Sequence, residues 1–226
     1  MFNDNKKVEV DQWKRLMRVS VDRRETKKWS KADLLELFRE TPAPIIADAQ
    51  DGRNVLACLR PVWRSAAIAG PITTVKTDPT DWGPVVSALE KAARGEVLFI
   101  DSSGANVAVW GGLTSQAAQQ RGLTGTVVYG GCRDVPTIAS LRYPVWAKNI
   151  TPHAGRPLNK GKLNVPINPG GIPIQPGDLL KADVHGVVVI PAEEADAVAR
   201  SVTEIINKER RIAKEIEKGR ELSELL

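Results

Sequence analysis

The sequence predicts an α/β domain with a β-rich final third, and three observations lead there. Short apolar runs alternate with amphipathic stretches through the middle third, glycine turns mark each change, and proline-broken apolar pieces dominate after residue 160. The chain has 226 residues, of which 42% are hydrophobic and 26% charged, enough for one large core of ordinary globular composition. The expected organisation is a helical segment over 1–40 and a single domain over 41–226 that includes a C-terminal helix.

Residues 1–40 read as helical, with Ser30 suited to the N-cap, Asp33 to the capping-box position, and Leu34, Leu35, Leu37 and Phe38 on one apolar face. After Thr41-Pro42-Ala43-Pro44, the stretch Ile45-Ile46-Ala47-Asp48 and the pieces at 66–70 and 72–75 suit strands. Asp81-Trp82-Gly83-Pro84 opens a helix that reaches about Arg94 and stops at Gly95, with Val85, Val86 and Leu89 inward. Residues 97–101 form a buried strand ending in Asp101, and 107–109 a further short strand. A helix over 113–121 then follows Gly111-Gly112 and ends at Gly122. Residues 126–129 read as a strand ended by Gly130-Gly131, and 135–142 as the next helix.

A polar loop over 151–162 leads into short strands at 163–167, 172–174 and 186–190. Pro169-Gly170-Gly171 and Pro176-Gly177-Asp178 separate them. Prolines there imply edges and bulges, hence a curved or swivelled sheet layered on the α/β part. The final helix, from Pro191 to about Gly219, carries Val198, Val202, Ile205 and Ile206 on one stripe, and its length predicts contact with another subunit.

Several classes are excluded. Two cysteines, Cys58 and Cys132, are too few for a disulfide framework and lack Cys-x-x-Cys spacing; Cys132 reads as a small filler. His153 and His185 are too far apart for a helical metal pair, which disfavours a zinc enzyme. No apolar run is long enough for a bilayer and the N-terminus has no secretory pattern, so a cytoplasmic protein with no membrane partner is expected. The net charge of +5 gathers at the two ends, interleaved near the C-terminus with Glu204, Glu209, Glu215 and Glu217. That is a solvated helix face rather than a basic stripe, so no nucleic-acid partner is expected.

Chemistry concentrates in Gly130-Gly131-Cys132-Arg133-Asp134. A carboxylate at a strand end ligates Mg²⁺ or Mn²⁺, and a neighbouring guanidinium takes a substrate carboxylate in a planar, bidentate fashion. The plainer account is that Asp134 caps the following helix while Arg133 pairs at the surface. Gly111-Gly112 supplies a second element, since the backbone N–H groups near Leu113, Thr114 and Ser115 open a helix without intrahelical partners and bind anions. Brought together, these groups suit a 2-oxo acid. A divalent ion would bridge its carboxylate and ketone oxygens and stabilise an enolate. The reaction implied is C–C cleavage or decarboxylation next to a pyruvyl unit.

The ordered set Trp110-Gly111-Gly112-Leu113, Gly125 through Val135 with its Gly130-Gly131-Cys132-Arg133-Asp134, Tyr143-Pro144-Val145-Trp146-Ala147, Thr151-Pro152, Gly170-Gly171, Pro176-Gly177-Asp178 and Ala182-Asp183-Val184-His185-Gly186-Val187 resembles the RraA-like family over residues 45–220. That family includes class II pyruvate aldolases, which act on 4-hydroxy-4-methyl-2-oxoglutarate and 4-carboxy-4-hydroxy-2-oxoadipate, and proteins that inhibit ribonuclease E. The resemblance implies a swivelling β/β/α domain with N- and C-terminal helices, assembled as a homotrimer or hexamer with sites between subunits. It implies Arg133 and Asp134 as catalytic residues, with Asp134 on Mg²⁺ or Mn²⁺ and Arg133 on the pyruvyl carboxylate. Gly111, Gly112, Leu113 and Thr114 would form the substrate cradle. Glu209, from a neighbouring subunit's C-terminal helix, matches the position that helps hold metal-bound water.

One departure stands out: the aldolases carry an acidic residue twenty-one positions before the arginine, where this chain has Gly112. Glycine does no acid–base work. Metal and pyruvate binding survive that change more readily than retro-aldol cleavage, and His153 is a candidate substitute base. The sequence is also similar to the RraA-like domain fused to hexulose-6-phosphate synthase in some archaea, which implies a sugar-phosphate context. The expected function is a divalent-metal-dependent carbon–carbon lyase on a 2-oxo acid, either a pyruvate-releasing aldolase or an oxaloacetate-type decarboxylase. The alternative is a non-catalytic ring that binds and regulates a protein partner such as a ribonuclease.

Overall fold

The computed structural model describes residues 29–64 and 67–225. The helical expectation for residues 1–28 and the expected strand start at Ala66 fall outside them. Helix α1 (Lys31–Glu40) begins at Ser30, whose Oγ accepts the Asp33 N–H at 3.1 Å while the Asp33 carboxylate accepts the Ser30 N–H at 3.3 Å. This is the reciprocal cap expected from the sequence. Ile45-Ile46-Ala47-Asp48, expected as a strand, instead lies in a short helix, α2 (Ala43–Asp48). Pro44 suits a first helical turn because its fixed φ is already helical and its missing N–H is not needed there. The buried Asp183 carboxylate accepts the Ala43 N–H at 2.8 Å and anchors the helix start.

Two-residue strands β1 (Val55–Leu56) and β2 (Arg60–Pro61) precede β3 (Ile68–Lys76), which fuses the pieces expected at 66–70 and 72–75. Pro71 marks where β3 changes partners. Ile68 to Pro71 pair antiparallel with a later strand, and Ile72 to Lys76 pair parallel with the next one. The βαβ rhythm then appears as α3 (Gly83–Lys91), β4 (Val97–Asp101), β5 (Ala108–Trp110), α4 (Gly112–Arg121), β6 (Gly125–Cys132), α5 (Val135–Leu141) and β7 (Val145–Ile150). Gly122, left-handed at φ 74°, ends α4 as its position predicts. β6 does not stop at Gly130-Gly131 but runs through both.

In the last third, the strands expected at 163–167 and 172–174 shrink to β8 (Lys162–Leu163) and a single Ile167–Ile174 bridge. A strand the sequence reading missed, β9 (Leu179–Asp183), forms a hairpin with β10 (Gly186–Ile190). Helix α6 (Ala195–Glu217) closes the domain. The sheet order is β1-β10-β9-β3-β4-β6-β7-β2, with β5 beside β6 and β8 beside β3.

Strand alternation sorts the core into layers. Val97 and Phe99 of β4, Leu180 and Ala182 of β9, and Val187 and Val189 of β10 fill the inside of the curled sheet. Leu98 and Ile100 face α3, α4 and α5, whereas Leu179, Val188 and Ile190 face α1, α2 and α6. This is a β/β/α arrangement with terminal helices on the antiparallel face. Lys181 shares the Leu179 face and is fully buried beneath α1, where its Nζ donates to the Arg39 carbonyl at 2.6 Å. Burial pushes its ammonium down to about 8, against the opposing pull of Asp183.

A second buried charge fixes the loop after β7. The Asp81 carboxylate is fully enclosed and accepts backbone N–H groups from Gly83 (2.8 Å), Leu158 (2.8 Å), Asn159 (3.2 Å) and Lys160 (2.7 Å). Burial alone would raise its pKa, but the four donors outweigh it and hold the group below the ordinary value of 3.8. Because the folded-state pKa is depressed, this stabilisation is complete above the unfolded carboxylate pKa and is lost as pH falls below it. Asp81→Asn is expected to cost about 2–3 kcal/mol at pH 7 and to flatten the acid limb of stability below about pH 4 in denaturant titrations. An unchanged acid limb would show that the stability loss originates elsewhere.

Cys132 is buried in the core beside α5 and Cys58 is exposed. Burial, and then the nearby Asp134 charge, pushes the Cys132 thiol up to about 12. A thiol reagent at pH 8 is expected to titrate one cysteine in the native protein and two in denaturant. Two fast-reacting thiols in the native state would contradict this environment.

Candidate functional site

The site begins with a close approach of two strands. β5 lies parallel to the end of β6 with Ala108 opposite Gly131 and Trp110 opposite Cys132, and the Arg133 N–H donates to the Trp110 carbonyl at 3.0 Å. A Cβ on Gly131 would stand 2.5 Å from the Val107 carbonyl oxygen, and one on Gly130 would collide with Ser102 Oγ. The glycine pair therefore permits contact rather than ending the strand. Its result is that Gly111-Gly112, at the exit of β5, arrives beside Arg133-Asp134, at the exit of β6. A Cβ on Gly111 would lie only 2.7 Å from Asp134 Oδ2.

Asp134 has a left-handed backbone, φ 58°, which aspartate tolerates better than most residues. It occupies the N-cap position of α5 yet makes no cap bond to that helix. Its Oδ2 instead accepts the Gly112 N–H at 3.0 Å and faces Arg133 Nε at 3.6 Å. The plainer account, a carboxylate capping its own helix, is thus not realised, and Arg133 pairs with its own neighbour. Both side chains remain about half exposed, and Asp134 Oδ1 has no hydrogen-bond partner among the described residues.

The anion cradle is partly used internally. Asp134 takes the first N–H of α4, and the Ser115 N–H returns to the Gly111 carbonyl at 3.0 Å. The N–H groups of Leu113 and Thr114 are left without intrahelical acceptors. The Thr114 hydroxyl is committed to Gly111, accepting its N–H at 3.0 Å and donating to its carbonyl at 2.9 Å.

Gly111, Gly112, Leu113, Thr114, Arg133 and Asp134 all line one cavity of about 320 Å³ between α3 and α4. The sequence reading named these six and the fold brings them together. It missed the other wall, Trp82, Val86 and Leu89, which share one face of α3 at helical spacing. Val86 was expected to point inward but is 39% exposed at the cavity, while Val85 is fully buried. That spacing was the available signal, and it is indistinguishable from a core-facing stripe until α4 is placed opposite. His153 uses its backbone carbonyl to accept the Ala108 N–H at 2.7 Å and its ring does not line the cavity. Glu209 lies on α6, half-buried on the opposite layer, where burial and then Asp48 raise its pKa. Within one chain it does not reach Asp134.

Among the described residues no group of three or more His, Cys, Asp or Glu side chains is placed to hold a metal ion. A transition-metal cage is therefore not built by this chain alone. A single carboxylate with one uncommitted oxygen at an open cavity does fit Mg²⁺, which keeps several waters and binds through one or two carboxylates plus substrate.

Comparison with known proteins agrees with this architecture. The RraA-like model, described as Aldolase/RraA, matches residues 43–189. An uncharacterized protein of Methanocaldococcus jannaschii is 34% identical over 85% of this chain and 93% of its own length. A 4-hydroxy-4-methyl-2-oxoglutarate aldolase of Thermus thermophilus is 30% identical over 70% of this chain and 90% of its own. The solved structure of the RNA-processing inhibitor RraA, also from Thermus thermophilus, superposes with a TM-score of 0.61 at 27% identity, covering 67% of this chain and 93% of that one. With the β/β/α layers, the paired glycine turns and the Arg133-Asp134 corner all in place, the chain belongs to the RraA-like family.

Proposed function

We propose that this protein is a divalent-metal-dependent carbon–carbon lyase acting on a 2-oxo acid. The observation that carries the reading is the convergence of one guanidinium, one half-free carboxylate and two unpartnered helix N–H groups on a single cavity. The Arg133 guanidinium receives the substrate carboxylate, aided by the N–H groups of Leu113 and Thr114. Asp134 holds Mg²⁺ or Mn²⁺ through Oδ1, while its bond to the Gly112 N–H fixes the orientation of the carboxylate. When bound, the ion supplies Lewis-acid stabilisation of negative charge developing at the keto oxygen. In an assembly of several chains, Glu209 of a neighbouring copy is the candidate to complete the ion's surroundings.

Position 112 favours decarboxylation over aldol cleavage. A Cβ there would lie 2.9 Å from Thr137 Cγ2 and 3.2 Å from Thr137 Cβ, so the place for an acidic side chain is occupied by Thr137. Loss of carbon dioxide needs no base for a hydroxyl proton, whereas retro-aldol cleavage does. The same observation favours a second reading, a ring that binds a protein partner without turnover. Leu113, 84% exposed at the cavity edge, would suit such contact.

Two experiments test these statements. In D₂O with Mg²⁺ or Mn²⁺, the wild-type protein is expected to exchange the methyl protons of pyruvate, and Asp134→Ala to lower the rate at least 100-fold, by proton NMR. Metal-independent exchange, or exchange retained in Asp134→Ala, would remove Asp134 from the chemistry. A protein that neither exchanges pyruvate nor decarboxylates oxaloacetate fits the partner-binding reading. Separately, Gly112→Asp is expected to lower stability by about 1–3 kcal/mol through crowding, and Thr137→Ala in the same chain to recover most of it in thermal unfolding. No recovery would mean that Thr137 is not the obstacle.

A further inference from the structure

The cavity has two chemically different ends, and the second end restricts what the substrate carries beyond its 2-oxo acid. One wall is the Trp82, Val86 and Leu89 face of α3, and the opposite wall is the Leu113 and Ala117 face of α4. Only Arg133 and Asp134 among the lining residues are charged, and they sit next to each other at the same end. The neutral polar groups around the cavity are already committed. Trp82 Nε1 donates to the Gly155 carbonyl at 3.0 Å, and Trp110 Nε1 donates to Ser115 Oγ at 2.8 Å. The Thr114 hydroxyl is held from both sides by Gly111.

A distal carboxylate placed along α3 would therefore meet neither a cation nor a spare side-chain donor, only the carbon faces of Trp82, Val86 and Leu89. Burying a charge without partners is strongly unfavourable, whereas each methylene that leaves water there gains roughly fourfold in affinity. We infer that the distal half of the substrate is an uncharged hydrocarbon group. The ligand class is then a monocarboxylic 2-oxo acid with a branched alkyl or aryl tail, not a dicarboxylate. This rests on the 2-oxo-acid reading above and narrows it: Arg133 takes the one carboxylate, and the two helix faces take the tail. It also separates this chain from an aldolase named for a five-carbon dicarboxylic substrate, because nothing along α3 or α4 would receive that second acid group.

Isothermal titration with Mg²⁺ present tests the assignment on the full chain, using pyruvate, 4-methyl-2-oxopentanoate and 2-oxoglutarate as probes. Wild type is expected to bind 4-methyl-2-oxopentanoate at least tenfold more tightly than pyruvate, and 2-oxoglutarate no more tightly than pyruvate. Val86→Lys, at an exposed helix position, is expected to reverse that order by strengthening 2-oxoglutarate at least fivefold and weakening the branched acid. Arg133→Ala is expected to weaken all three at least tenfold. If pyruvate binds through Arg133 but 2-oxoglutarate equals or exceeds the branched acid in wild type, the tail assignment is overturned while the 2-oxo-acid site stands. Should pyruvate fail to bind, or Arg133→Ala bind all three as wild type does, the 2-oxo-acid reading itself is overturned and the tail assignment goes with it.

Discussion

The contact on which the site depends is the packing of the backbone around Val107 and Ala108 against Gly131. No side chain fits between them, because a Cβ at Gly131 would sit 2.5 Å from a carbonyl oxygen. With bare glycine there, β5 can run beside the last residues of β6, and the two chains leave the sheet at the same edge. Arg133 and Asp134 leave on one side and Gly111 and Gly112 on the other, and the bond from the Gly112 N–H to Asp134 Oδ2 ties the two exits together. Any larger residue at Gly131 would part the strands and separate the guanidinium from the helix N-terminus together.

The rest of the architecture holds that corner at the right depth. β3 serves two sheets in succession, antiparallel to β9 before Pro71 and parallel to β4 after it. Curling about this strand lets Val97, Phe99, Leu180 and Val189 meet inside the sheet while Leu98 and Ile100 support α3 and α4 from below. The two helices that wall the cavity therefore rest on a floor of fully buried aliphatic side chains, packed as densely as other protein interiors. The ends of the helices carry the polar chemistry, and their lengths carry the apolar surface.

Much of this was legible in the sequence because the relevant signals are local. The Ser30 cap, the Gly122 stop and the Gly111-Gly112 and Arg133-Asp134 corners are each defined by a few adjacent residues, and the structure realises all of them. What stayed hidden depends on distant partners. β9 escaped notice because Lys181 and Asp183 interrupt its apolar pattern, and both are buried by contacts more than a hundred residues away, at the Arg39 carbonyl and the Ala43 N–H. The segment at Ile45 read as a strand because four residues of apolar sequence cannot distinguish the two periods. The apolar wall of the cavity looked like ordinary core, since Val86 and Leu89 fit a helix stripe whether they face a sheet or a void.

The enclosed Asp81 has a consequence for how this site can change over time. All four of its partners are amide groups of the main chain, at Gly83, Leu158, Asn159 and Lys160, so the loop is held by its backbone and not by the identity of its side chains. Residues 158–160 are thus free to be exchanged by mutation while the path of the loop beside Trp82 is kept. A single invariant anion can in this way let a lineage resample the rim of its binding pocket without rebuilding the pocket.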